Sequence, residues 1–341
     1  MAGQNGTATE QKEFVVPFEP GEVVAPSDPR IVLEGQWGQQ PGVAITVNSG
    51  SRISFSYAGE RLQLLFDTDG LTVAPHLWIT VDDGEPSLHV LDAPVIELSA
   101  PDGRHQVSVV VKDVNEHVNR WNPPFECAVV FAGLVLDVRS VLRLSGRPSG
   151  PRLEFYGDSI TQGVRSLSEH PESEGADGTT SYAYLTARAF GATSYQVGFG
   201  SQGISKPGNG EVPAGIDSFG WNFAGSPAER VEPSDVVVIN LGVNDPTLEI
   251  EEYAEYVRRV RSAYPSATIV SLPPFNGKHA DTIQAAVKSL DDPNLICIDS
   301  AGWITEADCT DQVHPTVTGH TKIATHLIKA LEEQTSLRRP A

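Results

Sequence analysis

The chain has 341 residues, with 24 Lys and Arg against 44 Asp and Glu, a formal charge of −20. Such acidity argues against a sequence-independent grip on nucleic acid and against an anionic membrane surface, both of which need clustered cations. Forty per cent hydrophobic residues suffice for sizeable cores, yet no apolar run is long enough to span a bilayer. The length and the different character of the two halves predict two domains.

Residues 1–13 are polar and read as a flexible arm. They lack the basic and apolar regions of a signal peptide, which predicts a cytoplasmic chain. From 14 to 145 the pattern is short β-type runs broken by turn residues. Arg52–Tyr57 and Arg61–Phe66 are joined at Gly59, His76–Val81 ends at Asp82-Asp83-Gly84, and Val107, Val109 and Val111 alternate. With no sustained helical period, this half is expected to be an antiparallel β-sandwich, jelly-roll-like. Asp67-Thr68-Asp69-Gly70 has the opening of a calcium loop but lacks the downstream glutamate, so a hairpin turn is expected and no metal. Trp78, in an apolar strand, reads as core. Trp121 sits on a loop, where it could bind a ligand or pack against the second domain.

Residues 146–151, rich in Gly and Pro, form the expected linker, and the periodicity changes there. From 152 to 335 strands alternate with helices. The strands are Leu153–Tyr156, Thr193–Val197, Asp235–Leu241, Thr268–Leu272 and Leu295–Asp299; the helices are Tyr182–Phe190, Ile250–Ala263, Ala280–Leu290 and Thr318–Leu331. This alternation predicts an α/β/α domain with a parallel sheet, whose chemistry belongs at the carboxyl ends of the strands. The three cysteines, Cys127, Cys297 and Cys309, are odd in number and lack metal-ligand spacing.

Four motifs follow those strands in order: Gly157-Asp158-Ser159-Ile160-Thr161-Gln162-Gly163, then Gly198-Phe199-Gly200-Ser201-Gln202-Gly203, then Gly242-Val243-Asn244-Asp245, then Asp311-Gln312-Val313-His314-Pro315. Each alone is a weak signal. Together they suit ester hydrolysis. Ser159 supplies a nucleophile that must lose its proton as it attacks. His314 can take that proton, since a histidine ordinarily titrates near ~6.5. Asp311, three residues earlier, can hold the other ring nitrogen, with a helix N-cap as the rival role. Asp158 and Asp245 read as structural, and His320 and His326 as ordinary helix residues.

The four blocks resemble the GDSL, or SGNH, hydrolase superfamily across roughly 150–335. The resemblance implies a flavodoxin-like domain, no cofactor, and an oxyanion hole from the backbone N–H of Ser159, the backbone N–H of Gly203 (with Gly200 the rival) and the side-chain amide of Asn244. A β-sandwich followed by such a domain is similar to the second family of carbohydrate esterases. That implies a metal-independent serine esterase acting on a small-molecule or oligosaccharide ester, most naturally an acetyl ester. A lipase or thioesterase of the same superfamily, or a carbohydrate-binding protein with a vestigial hydrolase domain, are the alternatives. The long loops Arg165–Thr180 and Lys206–Glu232 are expected to shape the pocket, with Trp221 lining it.

Overall fold

The structure, a computed structural model, describes residues 17–146, 149–170, 172–229 and 233–340. The expected arm 1–13 and part of the expected linker 146–151 therefore lie outside the described residues.

In the N-terminal half, two antiparallel sheets of six strands each share one apolar core. The first sheet runs Gly38–Gln40, Val43–Thr46, Val129–Asp137, Arg61–Phe66, Val95–Ser99, with Pro20–Val24 also on Val129–Asp137. The second runs Val141–Arg143, Arg52–Ala58, Arg104–Asp113, His76–Val81, Ser87–Val90, with Val32–Glu34 also on Arg52–Ala58. Because side chains alternate across a strand, every second residue points inward. Leu62, Leu64, Leu134 and Leu136 of the first sheet thus meet Ile53, Phe55, Leu77, Ile79, Val107 and Val109 of the second. Fully burying side chains of this kind stabilises the fold by about 1.5–3 kcal/mol each.

One detail refines the expectation and two depart from it. Arg52–Ala58 and Arg61–Phe66 do not pair; the turn at Gly59 carries the chain from one sheet to the other. Gly59 has φ +131°, and a Cβ there would lie 2.6 Å from the Cα of Ser140, so the crossover needs glycine. Asp67–Gly70 likewise joins strands of opposite sheets rather than a hairpin, and the Asp67 carboxylate accepts the Asp69 N–H at 3.0 Å as an Asx turn. Trp78 is not core: it stands half-buried on the outer face of its sheet and donates its indole N–H to Asp177 at 2.9 Å.

In the C-terminal half, a parallel sheet orders Thr193–Phe199, Arg152–Asp158, Val236–Asn240, Thr268–Ser271, Leu295–Cys297. Numbered along the chain this is 2-1-3-4-5, the flavodoxin-like order, with a switch point between the first and third strands. The helices Tyr182–Ala189 and Val317–Gln334 cover one face, where Tyr182, Ala187, Ile323 and Leu327 pack on Leu153, Phe155, Val236 and Val238. On the other face Ile250–Ala263 and Ala280–Ser289 bring Tyr253, Val257, Val260 and Ile283 against Val237, Ile239 and Ile269. Val236–Asn240 is buried throughout, which is why its sequence is a continuous apolar run rather than an alternating one.

The two halves are joined by packing. Ile45, Val47, Trp121, Phe125 and Ala128 from the sandwich side belong to the same apolar cluster as Tyr156, Val197 and Phe199. Trp121 is buried and meets Phe199 edge to face at 5.8 Å. Of its two expected roles, packing is the one seen. Among the described residues no helix is long and apolar enough to cross a membrane.

Candidate active site

Ser159 opens a single helical turn, Ser159–Gln162, at the carboxyl end of the strand Arg152–Asp158. Local chemistry makes so tight a strand-to-helix turn possible. Asp158 caps the turn by accepting the Ile160 N–H at 3.0 Å. Gly157 lies against Thr161 and the Asn240 carbonyl, so closely that a Cβ would be 2.0 Å from Thr161 Oγ1. Gly163, at φ +90°, ends the turn and donates its N–H to the Ser159 carbonyl at 3.0 Å. The Ser159 backbone N–H stands at the first helical position, where no intrahelical acceptor exists.

The loop before the last helix brings the other two members. His314 Nε2 lies 2.9 Å from Ser159 Oγ, and its Nδ1 lies 2.8 Å from Asp311 Oδ2. With the Nδ1 proton directed at the carboxylate, Nε2 is the acceptor for the serine hydroxyl. The other Asp311 oxygen accepts the backbone N–H groups of Val313 and His314, each at 2.8 Å. Burial would raise the Asp311 pKa, but these bonds and that from Arg165 outweigh it and hold the carboxyl below the usual carboxylate range. Asp311 is not the helix cap; Thr316 is, accepting the Gly319 N–H at 3.1 Å.

The spacing of motifs did not reveal Arg165. Its Nη1 donates to Asp311 Oδ2 at 2.8 Å, so one carboxylate oxygen serves both the imidazole and a guanidinium. Arg165 holds the left-handed region at φ +53°, and its carbonyl accepts the Thr310 hydroxyl at 2.7 Å, tying the loop after the nucleophile to the histidine loop. An arginine in a polar loop carries no sequence signal for such a role.

Gln162 is a second residue missed, though it stands inside the nucleophile motif. Its Oε1 accepts from Arg120 Nη2 at 2.9 Å, and its Nε2 donates to Asp113 Oδ1 at 3.1 Å and to the Val114 carbonyl at 3.0 Å. All three partners come from the sandwich half. Arg120 is wholly buried, with its guanidinium over the Phe199 ring at 5.0 Å. The amide of Gln162 therefore mediates between a buried cation and a buried carboxylate.

The expected oxyanion donors divide. Asn244 follows the strand Val236–Asn240, and its Nδ2 donates to the Gln202 carbonyl at 3.0 Å, which leaves its second amide hydrogen for another acceptor. Gly203 differs from expectation, because its N–H donates to the Lys206 carbonyl at 3.0 Å and closes a turn. Asp245 holds that turn by accepting the N–H groups of Ile204 at 2.8 Å and Ser205 at 3.0 Å. A Cβ at residue 203 would lie 2.4 Å from the Asp245 carboxylate, so this position requires glycine for packing. Asp245 is structural as expected, but its partners belong to the neighbouring loop rather than its own.

Trp221 is not beside Ser159 in the described cavities. It is 40% exposed on a two-stranded ribbon and edges a narrow cleft with Tyr156, Gly157, Gln202, Phe219, Leu241 and Tyr256. Instead, a cavity of about 390 Å³ adjoins the motif loops, lined by Ile160, Val243, Phe275, Ile304, Cys309 and Val313 among others. Burial pushes the Cys309 thiol upward, which keeps it protonated, and raises Cys127 to about 12 and Cys297 to about 11. His320 is fully buried, accepts the Tyr182 N–H at 3.2 Å and is driven by burial down to about 3, so it is a neutral packing residue. His326 stacks on Trp303 at 5.4 Å. Among the described residues no three His, Cys, Asp or Glu side chains gather as a metal site.

This geometry fits what the chain resembles. Residues 155–322 match the GDSL-like Lipase/Acylhydrolase family model. An acetylxylan esterase / glucomannan deacetylase of Cellvibrio japonicus (strain Ueda107) is 26% identical over 276 residues, 72% of each chain. A family two carbohydrate esterase from Cellvibrio japonicus superposes with a TM-score of 0.77 at 21% identity, over 92% of this chain and 97% of that one. A family two carbohydrate esterase from Clostridium thermocellum, solved in complex with cellohexaose, gives 0.72 at 19% identity, over 89% and 98%. Both sheets of the sandwich and the parallel sheet thus recur together, in one chain, in carbohydrate esterases of the second family.

Proposed function

We propose that this chain is a serine esterase that removes acetyl groups from sugars or oligosaccharides, with Ser159 as nucleophile, His314 as base and Asp311 as its orienting partner. The observation that carries this reading is the continuous relay from Ser159 Oγ through His314 to Asp311, at 2.9 and 2.8 Å. As Ser159 Oγ attacks the ester carbonyl, its proton passes to His314 Nε2, and the Asp311 carboxylate stabilises the imidazolium. Collapse of the tetrahedral intermediate expels the sugar oxygen, which takes that proton, and leaves Ser159 acetylated. Water then repeats the sequence, releasing acetate and restoring the serine.

The developing oxyanion is met by the Ser159 N–H and the Asn244 amide, each worth about 3 kcal/mol in the transition state. An amide suits this role because it donates without a charge that must be desolvated. Gly203 joins them only if its N–H exchanges the Lys206 carbonyl for the substrate. The acetyl preference and the carbohydrate class rest on the relatives, which are an acetylxylan esterase / glucomannan deacetylase and family two carbohydrate esterases.

One observation favours a second reading within the same chemistry. The cavity walled by Ile160, Val243, Phe275, Ile304 and Val313 offers apolar surface to acyl groups longer than acetyl. A series of p-nitrophenyl esters from acetate to octanoate separates the two. A kcat/KM falling steeply with chain length supports the acetyl esterase. A maximum at longer chains would transfer the assignment to a lipase or thioesterase.

A further inference from the structure

A cavity of about 660 Å³ lies away from the Ser159 relay. Its floor is the outer face of the second sandwich sheet, where Trp78, Thr80, Ser108 and Val110 alternate with the core residues Leu77, Ile79, Val107 and Val109. Register fixes their positions: Val110 is opposite Trp78, and Ser108 opposite Thr80. The facing wall comes from the hydrolase half, with Tyr184 and Arg188 on the helix Tyr182–Ala189 and Asp177 and Thr179 before it.

Two features of this seam point to one class of ligand. First, it presents two aromatic side chains, Trp78 and Tyr184, both half-buried, with the Trp78 indole held by its bond to Asp177. Flat apolar rings edged by hydroxyl and charged groups match a pyranose, whose C–H faces pack on rings while its hydroxyls hydrogen-bond at the edges. Second, its charged groups balance, Arg52 and Arg188 against Asp82 and Asp177, in a molecule whose net charge is −20. A locally neutral groove suits a neutral polymer better than a charged one.

We propose that this seam groove is a second carbohydrate site, holding a stretch of neutral polysaccharide apart from the residue being deacetylated. The proposal rests on the carbohydrate-esterase reading for the identity of the polymer. Asp177 links the groove to the back of the nucleophile turn, donating its N–H to the Gly163 carbonyl at 3.0 Å. A chain lying there occupies the seam and leaves the mouth of Ser159 open.

Affinity electrophoresis through gels containing deacetylated glucomannan or xylan tests this, alongside p-nitrophenyl acetate hydrolysis by the same proteins. Trp78→Ala and Arg188→Ala are expected to weaken retention about tenfold, and Trp78→Phe to keep most of it, since the ring remains. Arg188→Ala should hydrolyse p-nitrophenyl acetate at the wild-type rate. If Trp78→Ala does not fold, Arg188→Ala and Tyr184→Ala decide the matter. Wild type running unretarded, or all variants retarded equally with it, would overturn the groove. Failure of the esterase reading would show separately, as absence of serine-dependent p-nitrophenyl acetate turnover.

Discussion

The sandwich and the parallel sheet do different work at one site. Every member of the Ser159–His314–Asp311 relay comes from the C-terminal half, on loops after parallel strands. The sandwich contributes none of them. Yet Asp113, Val114 and Arg120 take all the described hydrogen bonds of the Gln162 side chain, three residues along the same helical turn as Ser159. Lys112 adds a second grip, donating its ammonium to the Ser173 and Ala176 carbonyls at 2.5 Å each and so holding the loop after the nucleophile. One half carries the chemistry, and the other fixes the turn that presents it.

That division predicts a graded set of losses. Ser159→Ala should cut kcat most, by about ten-thousand-fold or more, with the fold intact by circular dichroism. Asn244→Ala should cost about a hundred- to a thousand-fold in kcat, with little change in KM, because its amide acts on the transition state. Next comes the grip itself. Gln162→Leu takes the Nη2 acceptor from a buried guanidinium, leaving it the Val114 carbonyl at 3.3 Å, and removes a donor from a buried carboxylate, so it should cost about 2–4 kcal/mol of stability by denaturant titration. It should also lower kcat more than KM rises, although no atom of Gln162 belongs to the relay. If Gln162→Leu leaves both stability and kcat unchanged, the sandwich is a mere neighbour and the comparison fails.

Arg165→Met should act more weakly, about three- to tenfold on kcat. Asp311 keeps its bonds to His314 and to two backbone N–H groups, and the guanidinium is partly exposed. Arg165→Lys should recover part of the loss if charge matters, and none if only the forked geometry does.

The smallest effect concerns pH. The unfolded chain protonates His320 below about 6.5, whereas burial keeps the folded residue neutral down to about 3, so His320 makes stability fall as pH drops through that window. Asp158 works oppositely: burial raises it from 3.8 to about 7, so the folded state holds a proton that the unfolded chain releases, and stability falls as pH rises between those values. The two slopes oppose each other. Thermal melts of His320→Asn from pH 4 to 7 should therefore tilt relative to wild type, with stability declining toward neutral pH. An unaltered profile would count against a buried neutral His320.

The two halves also differ in how far they could be read from sequence. In the C-terminal half the expected elements match to within one to three residues, and the helix Ile250–Ala263 matches at both ends. Local patterns suffice there because every strand but Thr193–Phe199 is followed by a covering helix before the next strand or the chain's end, so the period switches from strand to helix along the sequence. In the sandwich, pairing is non-local. Arg52–Ala58 and Arg61–Phe66 have the alternation and the short connection of a hairpin, but alternation says which side of a strand is buried and not which strand lies beside it. The same limit applies to the site. Ser159, Asp311 and His314, which the fold joins by hydrogen bonds, were legible because chemistry restricts residue type at each place. Arg165, Gln162 and Arg120 were not, because their roles depend on which distant segment the fold sets against them. Trp221 edges a cleft that also holds Gly157 and Gln202, and an aromatic in a long loop carries no local signal for which cavity it edges.

The most direct test of the account is acetate release from acetylated glucomannan and acetylated xylan by wild type and Ser159→Ala at matched concentration. The account predicts steady release by wild type, none above background by the variant, and one acetyl group trapped on the peptide carrying Ser159 when the wild-type reaction is quenched early. Acetate release that survives Ser159→Ala, or wild type inert on every acetylated carbohydrate and p-nitrophenyl ester offered, would contradict it.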